Sequence, residues 1–253
     1  MPAQGVHLSS CLVVPLPGAD VSHHPDNTLI LLGGDPVAPG LLDGRAPPTR
    51  VIAADSGIDQ AHRLGLVVDV AVGDFDSVSV EGLERATAEG AEIERHPAEK
   101  AETDMVLALD VALRHGWTDV VLAGDDGGRL DHLLANALVM ASERFAPLRL
   151  RALGPDGARL YVVRDEVTFD GEPGELVSVL PVHGPARGVR TVGLRYPLDG
   201  EPLDAGTSRG VSNELVDATA TVSLDEGTLL VVLPGPTFSS IHANPSTQTK
   251  GPH

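Results

Sequence analysis

The sequence has one cysteine, Cys11, and two lysines, Lys100 and Lys250. A lone cysteine excludes an intrachain disulfide and a cysteine-based zinc site. The scarcity of lysine beside 16 arginines reads as a compositional bias of the source genome. Basic charge is scarce altogether: 18 basic residues face 36 acidic ones, a net charge of −18. Duplex nucleic acid is bound through many Lys and Arg contacts to phosphate, so a general nucleic-acid binder is not expected. A phosphorylated substrate remains compatible, provided a metal ion or local arginines offset the carboxylates. No apolar run approaches the roughly 20 residues of a membrane helix, so no membrane partner is expected. The amino-terminal stretch lacks a basic lead, and its apolar segment Cys11–Leu16 is short and broken by Pro15, unlike a secretory signal. The expected location is the cytoplasm.

What is present suffices for a core: 42% of the 253 residues are hydrophobic, which suits one large domain or two modest ones. Residues 1–27 carry Pro2, Pro15, Pro17 and Pro25, with His7, His23 and His24. A His-His pair can bind metal, but no period runs through the segment, and it reads as an extended lead-in. Residues 236–253, rich in Pro, Ser, Thr and Asn, read as a disordered tail.

Between these ends the pattern changes once. In 28–153, short apolar runs (Thr28–Leu32, Arg50–Ala54, Val67–Val72, Asp119–Ala123) stop at turn residues and predict strands. Helices are predicted over Glu102–Arg114, capped by Thr103, and over Leu130–Arg144, where Leu130, Leu133, Leu134, Ala137, Leu138 and Ala141 share one side. Alternation of this kind predicts an α/β domain with a mainly parallel sheet. Residues 154–235 lose the helical period. Runs at Arg159–Val163, Val167–Asp170, Leu176–Leu180, Ala218–Leu224 and Thr228–Leu233 predict a smaller all-β sandwich domain. The boundary is expected near Gly154-Pro155-Asp156-Gly157.

The strongest local feature is Gly73-Asp74-Phe75-Asp76-Ser77, directly after a predicted strand. Ligands of open α/β sheets bind beyond the carboxyl ends of strands. Two carboxylates on such a turn suit a hard cation; a polar turn with Ser77 as a helix cap is the alternative. Asp55 ends the preceding strand, as a metal ligand or as an Asx-turn residue. Asp104 opens a helix, where the helix dipole favours it with or without a metal. Lys100 meets a phosphate or simply solvent. A glycine-rich turn, Gly124–Gly128, leads into Arg129, Asp131, His132 and Asn136. Its amides and the planar Arg129 fork suit an anion, and His132 and Asn136 share a helix face. The run matches neither the P-loop nor the dinucleotide fingerprint. In the β-rich part, Gly206–Glu214 is either a solvated loop or a presenter of hydroxyl and amide groups to a small polar ligand.

Together these blocks resemble the thiamine pyrophosphokinase family. The matching segments are ADSG (Ala54–Gly57), GDFDS (Gly73–Ser77), TD (Thr103-Asp104), GGRLDH with Asn136 (Gly128–Asn136), GLRYPL (Gly193–Leu198) and SNE (Ser212–Glu214), in the family's order. The resemblance implies pyrophosphoryl transfer from ATP to the hydroxyl of thiamine, giving thiamine diphosphate and AMP. It implies an α/β catalytic domain followed by a β-sandwich, Mg²⁺, and a homodimer. It implies Asp74, Asp76 and Asp104 as catalytic and magnesium-site carboxylates with Asp55 beside them. Arg129 would stabilise charge in transfer. Lys100, Arg129, Asp131, His132 and Asn136 would face the nucleotide and thiamine, and Ser212 and Asn213 the thiamine. One departure stands out: Ala101 occupies a position where the family carries Asp. A different D-x-D metal-dependent nucleotide or nucleotide-sugar transferase, or a non-catalytic thiamine or nucleotide binder, is the alternative.

Overall fold

A computed structural model describes residues 27–34, 36–37, 39–99, 101–124, 129–154 and 157–235. The expected lead-in and tail, apart from Asn27, lie outside the described residues, as do Lys100 and residues 125–128 of the glycine-rich turn.

Side chains along the first strands bury alternately on two faces, which is why helices cover both. The chain runs β1 (Asn27–Leu31), β2 (Arg50–Ala54), α1 (Gly57–Arg63), β3 (Val70–Gly73), α2 (Val80–Ala88), β4 (Glu92–Arg95), α3 (Asp104–His115), β5 (Asp119–Ala123), α4 (Leu130–Met140) and β6 (Arg149–Leu153). On one face Ile30, Ile52, Val72 and Leu122 pack against Met105, Ala108, Leu109 and Ala112 of α3. On the other, Leu29, Leu31, Val51 and Ala53 pack against Ile58 and Ala61 of α1 and Ala86 of α2. Each fully buried Val, Leu or Ile side chain among them contributes about 1.5–3 kcal/mol. Strands β6-β5-β1-β2-β3-β4 lie side by side and all pair in parallel. The chain builds outward from β1 to β4, then returns to set β5 against the other side of β1. The strand order therefore reverses between β1 and β5, the kind of point where open α/β sheets bind ligands.

The β-rich part contributes β7 (Arg159–Val163), β8 (Glu166–Asp170), β9 (Leu176–Pro181), β10 (Ala186–Val192), β11 (Asp199–Leu203), β12 (Asn213–Glu214), β13 (Thr219–Ser223) and β14 (Leu229–Leu233). The large sheet does not stop at residue 154. β7 pairs antiparallel with β6, and the ten-stranded sheet continues through β14 and β9 to β12. A separate antiparallel sheet, β11-β10-β13-β8, faces this extension. One apolar cluster joins the two sheets: Tyr161, Val179 and Val231 from the first, Phe169, Val189 and Val222 from the second.

Three local expectations are corrected. The strand expected over Val67–Val72 spans only Val70–Gly73, and Val67 is exposed. Ser77 does not cap α2; Ser79 does, its side chain accepting from Gly82 N at 3.0 Å. The helix expected to Arg144 ends at Met140, and its leucine stripe does not pack on the sheet: Leu130, Leu133, Leu134 and Leu138 are 45–67% exposed.

Candidate functional site

Two adjacent parallel strands deliver carboxylates to one mouth of the sheet. β2 and β3 pair through Ala54 and Val72, and Asp55 N donates to Val72 O at 2.9 Å, so Asp55 lies beside the end of β3. The turn after Gly73 is tied by Asp76 N donating to the Asp74 carboxylate at 3.1 Å, and Ser77 Oγ donates to Asp76 at 2.7 Å. Phe75, between the two aspartates, has φ 63° while its ring is buried in the core. Asp55 is also left-handed, at φ 49°. Such conformations are costly for non-glycine residues and cluster at functional sites. Gly73 is required where it stands. At φ 148°, a β-carbon would lie 3.3 Å from Asp55 N and 3.4 Å from the Asp104 carboxylate. That close approach brings Asp104, the first residue of α3, to the same mouth; Thr103 caps the helix as expected, accepting from Val106 N.

Carboxylate oxygens of Asp55, Asp74 and Asp76 all lie within 4.8 Å of one another. One oxygen of Asp55 is buried with no hydrogen-bond partner. Hard oxygen donors, with one uncompensated by the protein, fit a magnesium-type cation. A second group, Glu92, Glu94 and His115, lies toward the opposite end of β4, where Arg114 holds Glu94 at 2.7 Å.

Burial raises the Asp55 pKa above its ordinary value, and the charges of Asp104, Asp74 and Asp76 raise it further. Its folded pKa therefore exceeds the unfolded one, and the ionised form opposes folding. This penalty is absent below the unfolded pKa, grows as pH rises, and is complete above the folded pKa. In chelator, Asp55→Asn should be more stable than the parent at pH 8, with the gain shrinking as pH falls into the carboxylate range. Thermal melts across pH check this; a variant no more stable at pH 8 counts against the repulsive cluster.

Arg129 immediately precedes α4 and pairs with Asp131, Nη2 to carboxylate 2.6 Å, on an exposed surface. This contact holds the Asp131 carboxyl below its usual range, chiefly through the hydrogen bond from Arg129. His132 and Asn136 are half-buried and one turn apart on α4. Arg129 follows β5, so it belongs to the same carboxyl end of the sheet as the aspartates. There Gly124, at φ 109°, brings β5 against β1: a β-carbon would lie 2.7 Å from Leu32 O.

The polar run in the β-rich part is held in place. Val179 N donates to Gly210 O at 2.8 Å, and Ser212 N donates to Ser178 Oγ at 3.1 Å. Ser212 is left-handed at φ 57° and exposed. Asn213 is buried, and its amide spans the backbone of Tyr196. Its oxygen accepts from Tyr196 N at 3.0 Å and Glu214 N at 2.9 Å, and its nitrogen donates to Tyr196 O at 2.8 Å. The sequence places Asn213 in the loop but does not reveal this clamp, because Tyr196 is remote in the chain. It likewise gives no sign of Arg95, whose side chain reaches Asp74 O from the unforeseen strand β4.

Two stretches of the chain match known protein families. Residues 48–150 match "Thiamin pyrophosphokinase, catalytic domain", and residues 164–229 match "Thiamin pyrophosphokinase, vitamin B1 binding domain". The chain is 26% identical over 208 residues to the thiamine pyrophosphokinase of Bacillus subtilis, covering 81% of this chain and 97% of the relative. The crystal structure of thiamine pyrophosphokinase from Bacillus subtilis shares the fold, with TM-score 0.71 and 24% identity, covering 83% of this chain and all of the other. The thiamin pyrophosphokinase structure from Geobacillus thermodenitrificans has TM-score 0.67 and 27% identity, over 83% of this chain and 98% of the other.

Proposed function

The chain belongs to the thiamin pyrophosphokinase family, and from that premise we propose that it transfers the pyrophosphoryl group of ATP to the hydroxyl of thiamine. The observation that carries this reading is the convergence of Asp55, Asp74 and Asp76, with Asp104 beside them, at the carboxyl end of a parallel sheet. Nothing local in sequence brings Asp55 or Asp104 to the Asp74–Asp76 turn, and without a cation the repulsion among these carboxylates opposes folding.

Asp55, Asp74 and Asp76 would hold a magnesium ion, with Asp104 completing the acidic mouth. When bound, that ion neutralises phosphate charge and polarises the β-phosphoryl group. The β1/β5 reversal is the kind of point where open α/β sheets bind ligands, and the nucleotide is assigned to it. Arg129, Asp131, His132 and Asn136, at the start of α4, are assigned to the nucleotide and thiamine side of the cleft; Lys100, assigned with them, lies outside the described residues. In the reaction, the thiamine oxygen forms a bond to the β-phosphorus. The bond from that phosphorus to the oxygen bridging the α-phosphorus breaks, AMP leaves with its electron pair, and the hydroxyl proton passes to solvent or a site carboxylate. The acidic surface favours approach of the thiamine cation. The exposed leucine stripe of α4 supports a homodimer, because large contiguous apolar surface is uncommon on monomers. The setting is the cytoplasm.

The test is a coupled assay for AMP. AMP release strictly dependent on thiamine supports the reading. Thiamine-independent AMP release points to another transferase, and thiamine binding without AMP to a non-catalytic relative. Ala101 is exposed just ahead of Asp104, so the missing family carboxylate leaves the clustered aspartates in place.

Ser212 and Asn213 are assigned to thiamine, by different routes. Ser212→Ala removes an exposed hydroxyl, and Asn213→Ala releases the Tyr196 segment. Each should weaken thiamine more than ATP, by about 1–3 kcal/mol. Separate KM measurements decide it; equal weakening of both substrates excludes the loop as a thiamine contact.

A further inference from the structure

The Asp74–Phe75–Asp76 turn carries two of the clustered carboxylates on either side of a left-handed phenylalanine. Rotation at Phe75 swings Asp74 and Asp76 apart, so the turn needs external restraint. From below, the core grips the Phe75 ring, which is 7% exposed. From above, the restraint is Arg95. Its Cζ stands 4.9 Å from the centre of the Phe75 ring, and its Nη1 donates to Asp74 O at 2.9 Å. The Arg95 backbone is itself fixed against the start of the turn: Arg95 registers opposite Gly73 in the β3–β4 ladder, and His96 N donates to Gly73 O at 2.8 Å.

We propose that Arg95 is the positioning residue of the metal-binding turn, holding Asp74 and Asp76 in ligating geometry by clamping Asp74 O and the face of Phe75. The proposal rests on the function assigned above. Arg95 contributes no ligand atom, since a guanidinium only donates. Its planar group is suited to do two things at once, to stack on a ring and to point a donor at a carbonyl. A lysine ammonium can supply the charge but not the stacked plane.

The experiment compares Arg95→Met and Arg95→Lys with the parent in two measurements. The first is Mn²⁺ binding to the substrate-free protein by electron paramagnetic resonance. The second is thiamine-dependent AMP formation. Arg95→Met should weaken Mn²⁺ about tenfold, as loss of a residue supporting metal ligands does. It should lower kcat about 10- to 100-fold while leaving the thiamine KM nearly unchanged, the signature of misplaced catalytic groups. Arg95→Lys should recover only part of either loss, and it serves as the deciding variant if Arg95→Met does not fold. Unchanged Mn²⁺ affinity in a folded variant overturns the proposal, as does a defect confined to the thiamine KM, or full recovery by lysine. If the parent makes no thiamine-dependent AMP, the functional reading fails by itself, and the Mn²⁺ comparison still decides whether Arg95 positions the turn.

Discussion

Asp74→Asn is expected to reduce thiamine-dependent AMP formation by about two orders of magnitude or more while leaving the protein folded. Asparagine matches aspartate in size, and its oxygen can still accept from Asp76 N, the contact that ties the turn at 3.1 Å. The Arg95 bond to residue 74 uses the backbone carbonyl and also survives. What disappears is one negative charge from a group whose oxygens lie within 4.8 Å of one another. Removing it relieves repulsion on Asp55 and should spare or raise thermal stability, by about 0.5–2 kcal/mol. Activity assays paired with melting curves read both effects. A folded variant with near-parental turnover excludes a catalytic role for Asp74, and a variant that loses activity by unfolding gives the residue a structural role instead.

Gly57→Ala is expected to destabilise the fold by about 2–3 kcal/mol, the cost of overpacking where backbone must move. Considered as a helix position alone, the same change is favourable by about 1 kcal/mol, because alanine is the better helix former. The tertiary structure reverses the sign. Gly57 opens α1 directly against the end of β1, and a β-carbon there would lie 2.1 Å from Leu31 O and 2.8 Å from Leu31 C. Those are backbone atoms of a central strand, so no rotamer change relieves the clash. Either α1 lifts from the sheet, opening the packing of Ile58 and Ala61, or β1 shifts against both its neighbours. Urea denaturation gives the magnitude; an unchanged or raised midpoint shows that α1 can move at little cost. Because Asp55 and Ser56 precede the helix, activity should fall along with stability.

How far each feature could be read in advance follows from how local its cause is. β2 and β5 carry dense β-branched and apolar runs closed by turn residues, and they lie where the pattern puts them, at Arg50–Ala54 and Asp119–Ala123. The Thr103 cap and the left-handed glycine ending α3 are likewise set within a few residues. β4 escapes notice because Glu92–Arg95 is largely charged, a composition suited to the sheet edge it occupies but indistinguishable from a loop in sequence. The α4 stripe has a helical period, and the period is real. Periodicity states that one side is apolar, not what that side meets, and here the leucines face outward.

The site divides in the same way. The sequence by itself determined which carboxylates end strands or open a helix, because turn chemistry and helix capping are decided by neighbouring residues. It also set the two kinds of architecture, since hydrophobic period switches from mixed to strand-like near residue 154. Only the tertiary structure decided that β2 and β3 lie side by side, bringing Asp55 to Asp74 and Asp76, and that one sheet runs on from β6 into β7. It alone gave Arg95 its place over Phe75, and Asn213 its grip on Tyr196. Those contacts depend on strand pairing between distant segments, whose register is fixed by the packing of both faces at once and is written in no single stretch of the chain.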